Sequence, residues 1–136
     1  MKKISEHFSL SEFTYSRMAV ENGLSNEPPP AVVKALQALC VNLLEPLRAR
    51  CGNQPMHVLS GYRGPELNRL VRGVPRSQHQ RGEAADIYVS DIGQLIAVLR
   101  SPDAPVFDQA IFYSRKNFVH LSYKTNGKNR RQFLVV

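Results

Sequence analysis

Apolar side chains at three- and four-residue steps mark the clearest element of the chain. Between Ala31 and about Arg48, the residues Val32, Val33, Leu36, Leu39, Cys40, Leu43, Leu44 and Leu47 fall on one helical face. Pro28-Pro29-Pro30 precedes them, and a proline at a helix entry sacrifices no hydrogen bond, whereas Pro46 is expected to kink or end the helix. Upstream, Phe8 to Phe13 reads as a short helical turn with Ser9 or Ser11 as its cap. Downstream the period changes. Met56 to Ser60 reads as a strand ended by Gly61, and Glu66 to Val71 as a short helix opened by Pro65 and closed by Gly73. Ala84 to Val89 reads as a strand, after which Asp91 caps a helix that carries Ile92, Leu95, Ile96 and Leu99 on one side. Three more strands are expected at Asp108 to Tyr113, Phe118 to Tyr123 and Gln132 to Val136. Asn126-Gly127 between the last two signals a hairpin, because both residues tolerate positive φ. Helices first and strands later predict an α+β fold, with N-terminal helices packed on a small antiparallel sheet.

A chain of 136 residues with 43% hydrophobic content suffices for a single domain, 1–136, whose core needs neither a disulfide nor a structural metal. The two cysteines, Cys40 and Cys51, read as free thiols, since no paired cysteine motif accompanies them. Ser5, Glu6 and His7 stand where a secretory leader would need its apolar run, and no stretch approaches the roughly 20 apolar residues of a membrane span. The expectation is a monomer made in the cytoplasm without an export signal and not inserted in a membrane, with its site of action left open. The net charge of +7 attracts polyanions, nucleic acid and bacterial cell wall among them. The densest basic stretch is Lys124, Lys128, Arg130 and Arg131, yet no reading helix or aromatic stacking platform accompanies it, so no specific nucleic-acid partner is expected.

Candidate chemistry lies in His79 and Asp86, seven residues apart, and in His120 far downstream. Two imidazoles and a carboxylate form a set that suits Zn²⁺ with a fourth position open, and such a site hydrolyses. Alternation along the strand puts Phe118, His120 and Ser122 on one face, and Gly82 lets the loop carrying His79 turn back toward Asp86. A lone strand histidine is ordinarily a hydrogen-bonded core or edge residue. The case here rests on three residues converging. His7 and His57 receive no role, the first in a frayed terminus and the second at a sheet edge.

The pattern Ser77-x-His79-x₂-Gly82-x-Ala84-x-Asp86-Ile87, preceded by Ser60-Gly61-Tyr62-Arg63-x-x-Glu66-Leu67-Asn68 and followed by Phe118-Val119-His120, resembles the D-alanyl-D-alanine carboxypeptidase-like zinc peptidases. That group includes peptidoglycan peptidases of bacteria and phages and shares its fold with the Hedgehog signalling domain. The resemblance runs from about Phe8 to Arg131. It implies a zinc site of His79, Asp86 and His120, peptidoglycan peptides as partners, and an arginine at Arg63 that polarises the scissile carbonyl or holds a substrate carboxylate. Ser77 and Tyr62 are implied as substrate contacts. Many members place Glu or Asp three residues before the third ligand as general base, where this chain has Asn117, an amide able only to hydrogen-bond the water. Asp108 and Glu83 are the carboxylates that could substitute, Asp108 being preferred either as base or as partner to a ligand histidine. Without a base the chain would be a zinc- and wall-binding module with weak or no turnover.

Overall fold

The computed structural model describes residues 2–136. The apolar stripe of the first long element folds as predicted, but it does not stop at Pro46. Helix α3 (Pro30–Leu39) runs into a π-helical turn (Cys40–Leu44) and then directly into α4 (Glu45–Arg50). Pro46 offers no amide hydrogen, and its ring crowds the carbonyl one turn back; the widened turn just before it, closed by the Glu45 amide on the Cys40 carbonyl, takes up that misfit without ending the helix. The continuous helix from Pro30 to Arg50 has the length and apolar content of a membrane span. Its apolar face is nevertheless spent on the core: Leu36, Leu39, Cys40, Leu43, Leu44 and Leu47 are all fully buried, each large one contributing roughly 1.5–3 kcal/mol, while Lys34, Gln37 and Asn42 face outward.

Two shorter helices, α1 (Leu10–Thr14) and α2 (Arg17–Glu21), precede it. Ser9 and Glu12 form a capping box at α1, as the sequence suggested for Ser9. The N-terminal segment is not frayed. Glu45 accepts hydrogen bonds from the Ser5 hydroxyl at 2.6 Å and the His7 amide at 2.7 Å, and lies 2.7 Å from His7 Nδ1, pinning the segment to α4.

Five strands form one sheet in the order β1-β2-β4-β3-β5: β1 (His57–Ser60), β2 (Ala84–Tyr88), β3 (Gln109–Tyr113), β4 (Phe118–Ser122) and β5 (Gln132–Val135). The first four pair antiparallel. The last does not. Asn126-Gly127 does turn, with Gly127 at φ 84°, yet β5 passes over to the far edge and pairs with β3 in parallel. The expected hairpin between the last two strands is therefore corrected, and the sheet is mixed. Helices α5 (Pro65–Leu70) and α6 (Ile92–Leu99) and a short 3-10 turn (Gln78–Arg81) fill the connections. The helices and one sheet face bury Phe8, Phe13, Ile87, Val89 and Leu121 between them, which leaves the opposite parity of β2, β3 and β4 free to build a site. His57 does sit on the edge strand, exposed beside Tyr88.

Candidate metal centre

Strand alternation decides what the open sheet face carries. Register sets Asp86 of β2 opposite His120 of β4, and His120 opposite Ile111 of β3, so an anion and an imidazole stand side by side on neighbouring strands. His79 reaches the same place from the 3-10 turn. Ser77 caps that turn by accepting from the His79 amide at 3.1 Å, and Gly82 ends it at φ 73°, where an added Cβ would lie 2.7 Å from the Val32 carbonyl. Only glycine satisfies both demands. The Arg63 amide, bonded to the His79 carbonyl at 3.1 Å, holds the turn against the β1–α5 connection.

One donor atom from each of His79, Asp86 and His120 lies within 4.8 Å of the others, and the two imidazole rings are 5.1 Å apart. His79 Nδ1 is 2.7 Å from the Gly61 carbonyl, so that nitrogen carries the proton and Nε2 turns its lone pair toward Asp86 Oδ1, 3.5 Å away. A backbone carbonyl fixing the tautomer of a buried histidine is the usual support of a metal ligand. Gly61 can supply it because β1 ends against α1, where a Cβ at Gly61 would meet the Phe13 backbone at 2.6 Å. His120 Nδ1 lies 2.9 Å from the same Asp86 oxygen. A tetrahedral ion with bonds near 2.0–2.1 Å separates its ligand atoms by about 3.3 Å. The two donor distances to Asp86 fall on either side of that spacing, and all three donors lie close enough to share one ion. Burial works to raise the Asp86 carboxyl, but the hydrogen bond from His120 and the adjacent His79 imidazole prevail and hold it well below the usual carboxylate range, so the anionic ligand is ready-made.

The three residues open onto a cavity of about 340 Å³ that Arg63 and Ser77 also line. Arg63 Nε is buried and has no hydrogen-bond partner, and burial lowers its guanidinium from the ordinary range against the opposing pull of Asp86. A buried donor without a partner marks a place for an acceptor from outside the chain. Four candidates named from the sequence do not line this cavity. Tyr62 is buried on the other side of Arg63 and lines neighbouring cavities instead. Asn117 lies exposed in the β3–β4 turn at φ 57° and is not part of the cavity lining. Glu83 is drawn 3.0 Å from Arg81.

Asp108 is the fourth. It is fully buried, with Oδ1 accepting from the Arg130 amide and Nε at 3.0 Å and Oδ2 from Arg130 Nη2 at 2.8 Å. Its carboxyl is held down at about 2, chiefly by Arg130. Its link to the site is indirect, through Gln78 Nε2 at 3.2 Å, the neighbour of His79 rather than the ligand. A carboxylate so engaged positions the ligand turn and takes no proton. Among the described residues, Asp86 is therefore the one carboxylate on the cavity wall. Val74, Gln78, Gln109, Ile111, Tyr113 and Phe118 complete the lining, and Tyr113 stacks on Phe118 at 4.8 Å. Alternation already put Gln109, Ile111 and Tyr113 on one side of their strand, but which side follows only from the pairing with β4.

The chain matches the family model described as Peptidase M15 over residues 6–122, a span that takes in all three candidate ligands and Arg63. No curated protein sequence matches it.

Proposed function

This chain belongs to the peptidase M15 family of zinc-dependent peptidases, and from that premise we propose that it hydrolyses stem peptides of bacterial peptidoglycan, at a D-alanyl bond or its neighbour. The observation that carries the reading is the convergence of His79, Asp86 and His120 beneath a cavity whose arginine retains a buried, unsatisfied donor. His79 Nε2, Asp86 and His120 Nδ1 would hold the ion. When bound, zinc supplies Lewis acidity toward a carbonyl and toward water. Arg63 binds a carbonyl or carboxylate oxygen of the peptide, and its planar fork fixes the direction of approach. The Gly61 carbonyl keeps His79 in one tautomer throughout. Proton movement falls to Tyr113, which lines the cavity and, among the described residues there, is the one besides Asp86 that carries an ionisable oxygen.

The lack of a second carboxylate among the described residues of the cavity favours one other reading, a zinc-bearing module that grips cell wall without cutting it. Incubation of the zinc-loaded protein with purified peptidoglycan and with short D-alanine-ended peptides separates the two. Release of new amino groups, abolished in His120→Ala, is the expected result. Equal background from both proteins, with the wall still bound, would establish the module instead.

A further inference from the structure

Among the described residues, twelve large apolar side chains stand open to solvent, and seven of them fall on three segments that meet. Tyr15, Met18 and Val20 come from the α1–α2 region, Leu59 from β1, and Leu70, Val71 and Val74 from the end of α5 and the turn after it. The segments meet around a cavity of about 200 Å³ that Tyr15, Leu59 and Val71 line together with Ser16, Arg17 and Ser60. Register puts Leu59 there: Val58 pairs with Ile87 and Ser60 with Asp86, so Leu59 is the extra residue of a bulge, 57% exposed. Val74 is 73% exposed, and the buried Asn68 holds its turn by donating Nδ2 to the Val74 carbonyl at 3.1 Å. Apolar groups gathered in this way mark an interaction surface rather than ordinary exposure. The turn is also basic. Between Leu67 and Gln80 lie Arg69, Arg72 and Arg76 and no carboxylate. All three are exposed, and none is paired with an acid among the described residues. Arg17 differs, since Glu21 accepts from its Nε at 2.9 Å and leaves it no free charge.

We propose that this face docks on an anionic lipid bilayer, on which the protein lies without crossing it. Such docking needs apolar side chains that enter the boundary of the acyl layer and cations that meet lipid phosphate just outside it. Leu70, Val71 and Val74, interleaved with Arg69, Arg72 and Arg76, supply both within one segment, and Tyr15 and Leu59 widen the apolar part. Charge decides between occupants. A second copy of this chain would set the three arginines against their like, and repulsion would oppose it. A soluble polyanion would satisfy the arginines and leave the apolar groups in water, whereas the bilayer boundary answers both. Arg63 lines this cavity and the metal cavity alike, and Val74 lines the latter, so docking sets the metal cavity at the bilayer surface. The docking itself does not depend on the peptidase reading above.

The test is sedimentation of the protein with vesicles of phosphatidylcholine alone and of phosphatidylcholine with about a third phosphatidylglycerol, at physiological salt. Binding to the anionic vesicles and little to the neutral ones is expected. Leu59→Ser should weaken that binding about tenfold through lost apolar contact. Arg69→Gln combined with Arg72→Asn should weaken it about thirtyfold, the asparagine tolerating the left-handed backbone at φ 57°. Lys34→Gln combined with Lys128→Gln removes the same charge from exposed positions outside the face, and should leave binding within about twofold of the unaltered protein. Equal losses from the two double variants would reduce the effect to the net charge of +7, and an unchanged Leu59→Ser would reduce it to polyanion attraction. Either result overturns the docking face, as does equal binding to both kinds of vesicle or to neither.

Discussion

At the scale of single residues, the site is a matter of which lone pairs face inward. Asn117 stands in the sequence where a general base was expected, yet its left-handed backbone in an exposed turn makes it a device for reversing the chain. Asn117→Glu should therefore restore or add no activity, and should destabilise the fold by about 1 kcal/mol, because glutamate tolerates positive φ poorly; turnover assays beside thermal melts check both halves. Tyr113 carries the opposite expectation. Tyr113→Phe keeps the ring stacked on Phe118 and removes one oxygen, so kcat should fall about a hundredfold while KM and zinc content hold. A protein turning over as before would assign proton movement elsewhere.

Among the elements, the 3-10 turn depends most on its neighbours. It delivers His79, is capped at both ends by its own residues, and is tied through Gln78 to Asp108 and so to the Arg130 segment beyond β4. The depressed Asp108 carboxyl fixes the sign of the pH effect. Arg130 stabilises the charged form only in the folded protein, so the contribution is complete above the ordinary carboxylate value near 4 and is lost as pH falls toward about 2. Arg130 is half exposed, which screens the pair, and the stake is roughly 1–2 kcal/mol. Asp108→Asn should cost about that much in denaturant melts at pH 7, with the gap to the unaltered protein closing near pH 2. A gap constant with pH would place the effect in packing instead.

For the whole molecule, the decisive property is that the core and the site occupy opposite faces of one sheet. The core owes nothing to a metal: the long helix and the inner face of β2 and β4 close over one another with hydrocarbon alone. Chelation should consequently leave the protein folded, with its secondary structure intact by circular dichroism. Zinc at a hundredfold excess over its dissociation constant should raise stability by about 2.7 kcal/mol, an upward shift in Tm of several degrees that His120→Ala abolishes. Unfolding on chelation would make the centre structural. Much of this was legible in the chain alone. The helical stripe of Val32 to Leu47, the turn at Gly82, the strand around His120 and the spacing of His79 and Asp86 are local patterns, and local backbone preference with side-chain periodicity determines them; that His120 joins the pair across 34 residues is not local. Strand pairing is not local. Whether the chain after Asn126-Gly127 folds back on β4 or crosses to β3, which parity of β3 faces His120, and whether Asp108 meets a histidine or an arginine all turn on contacts between segments more than ten residues apart. Tertiary packing settled each by burying one sheet face, which fixed the register and with it the neighbours of every side chain on the other.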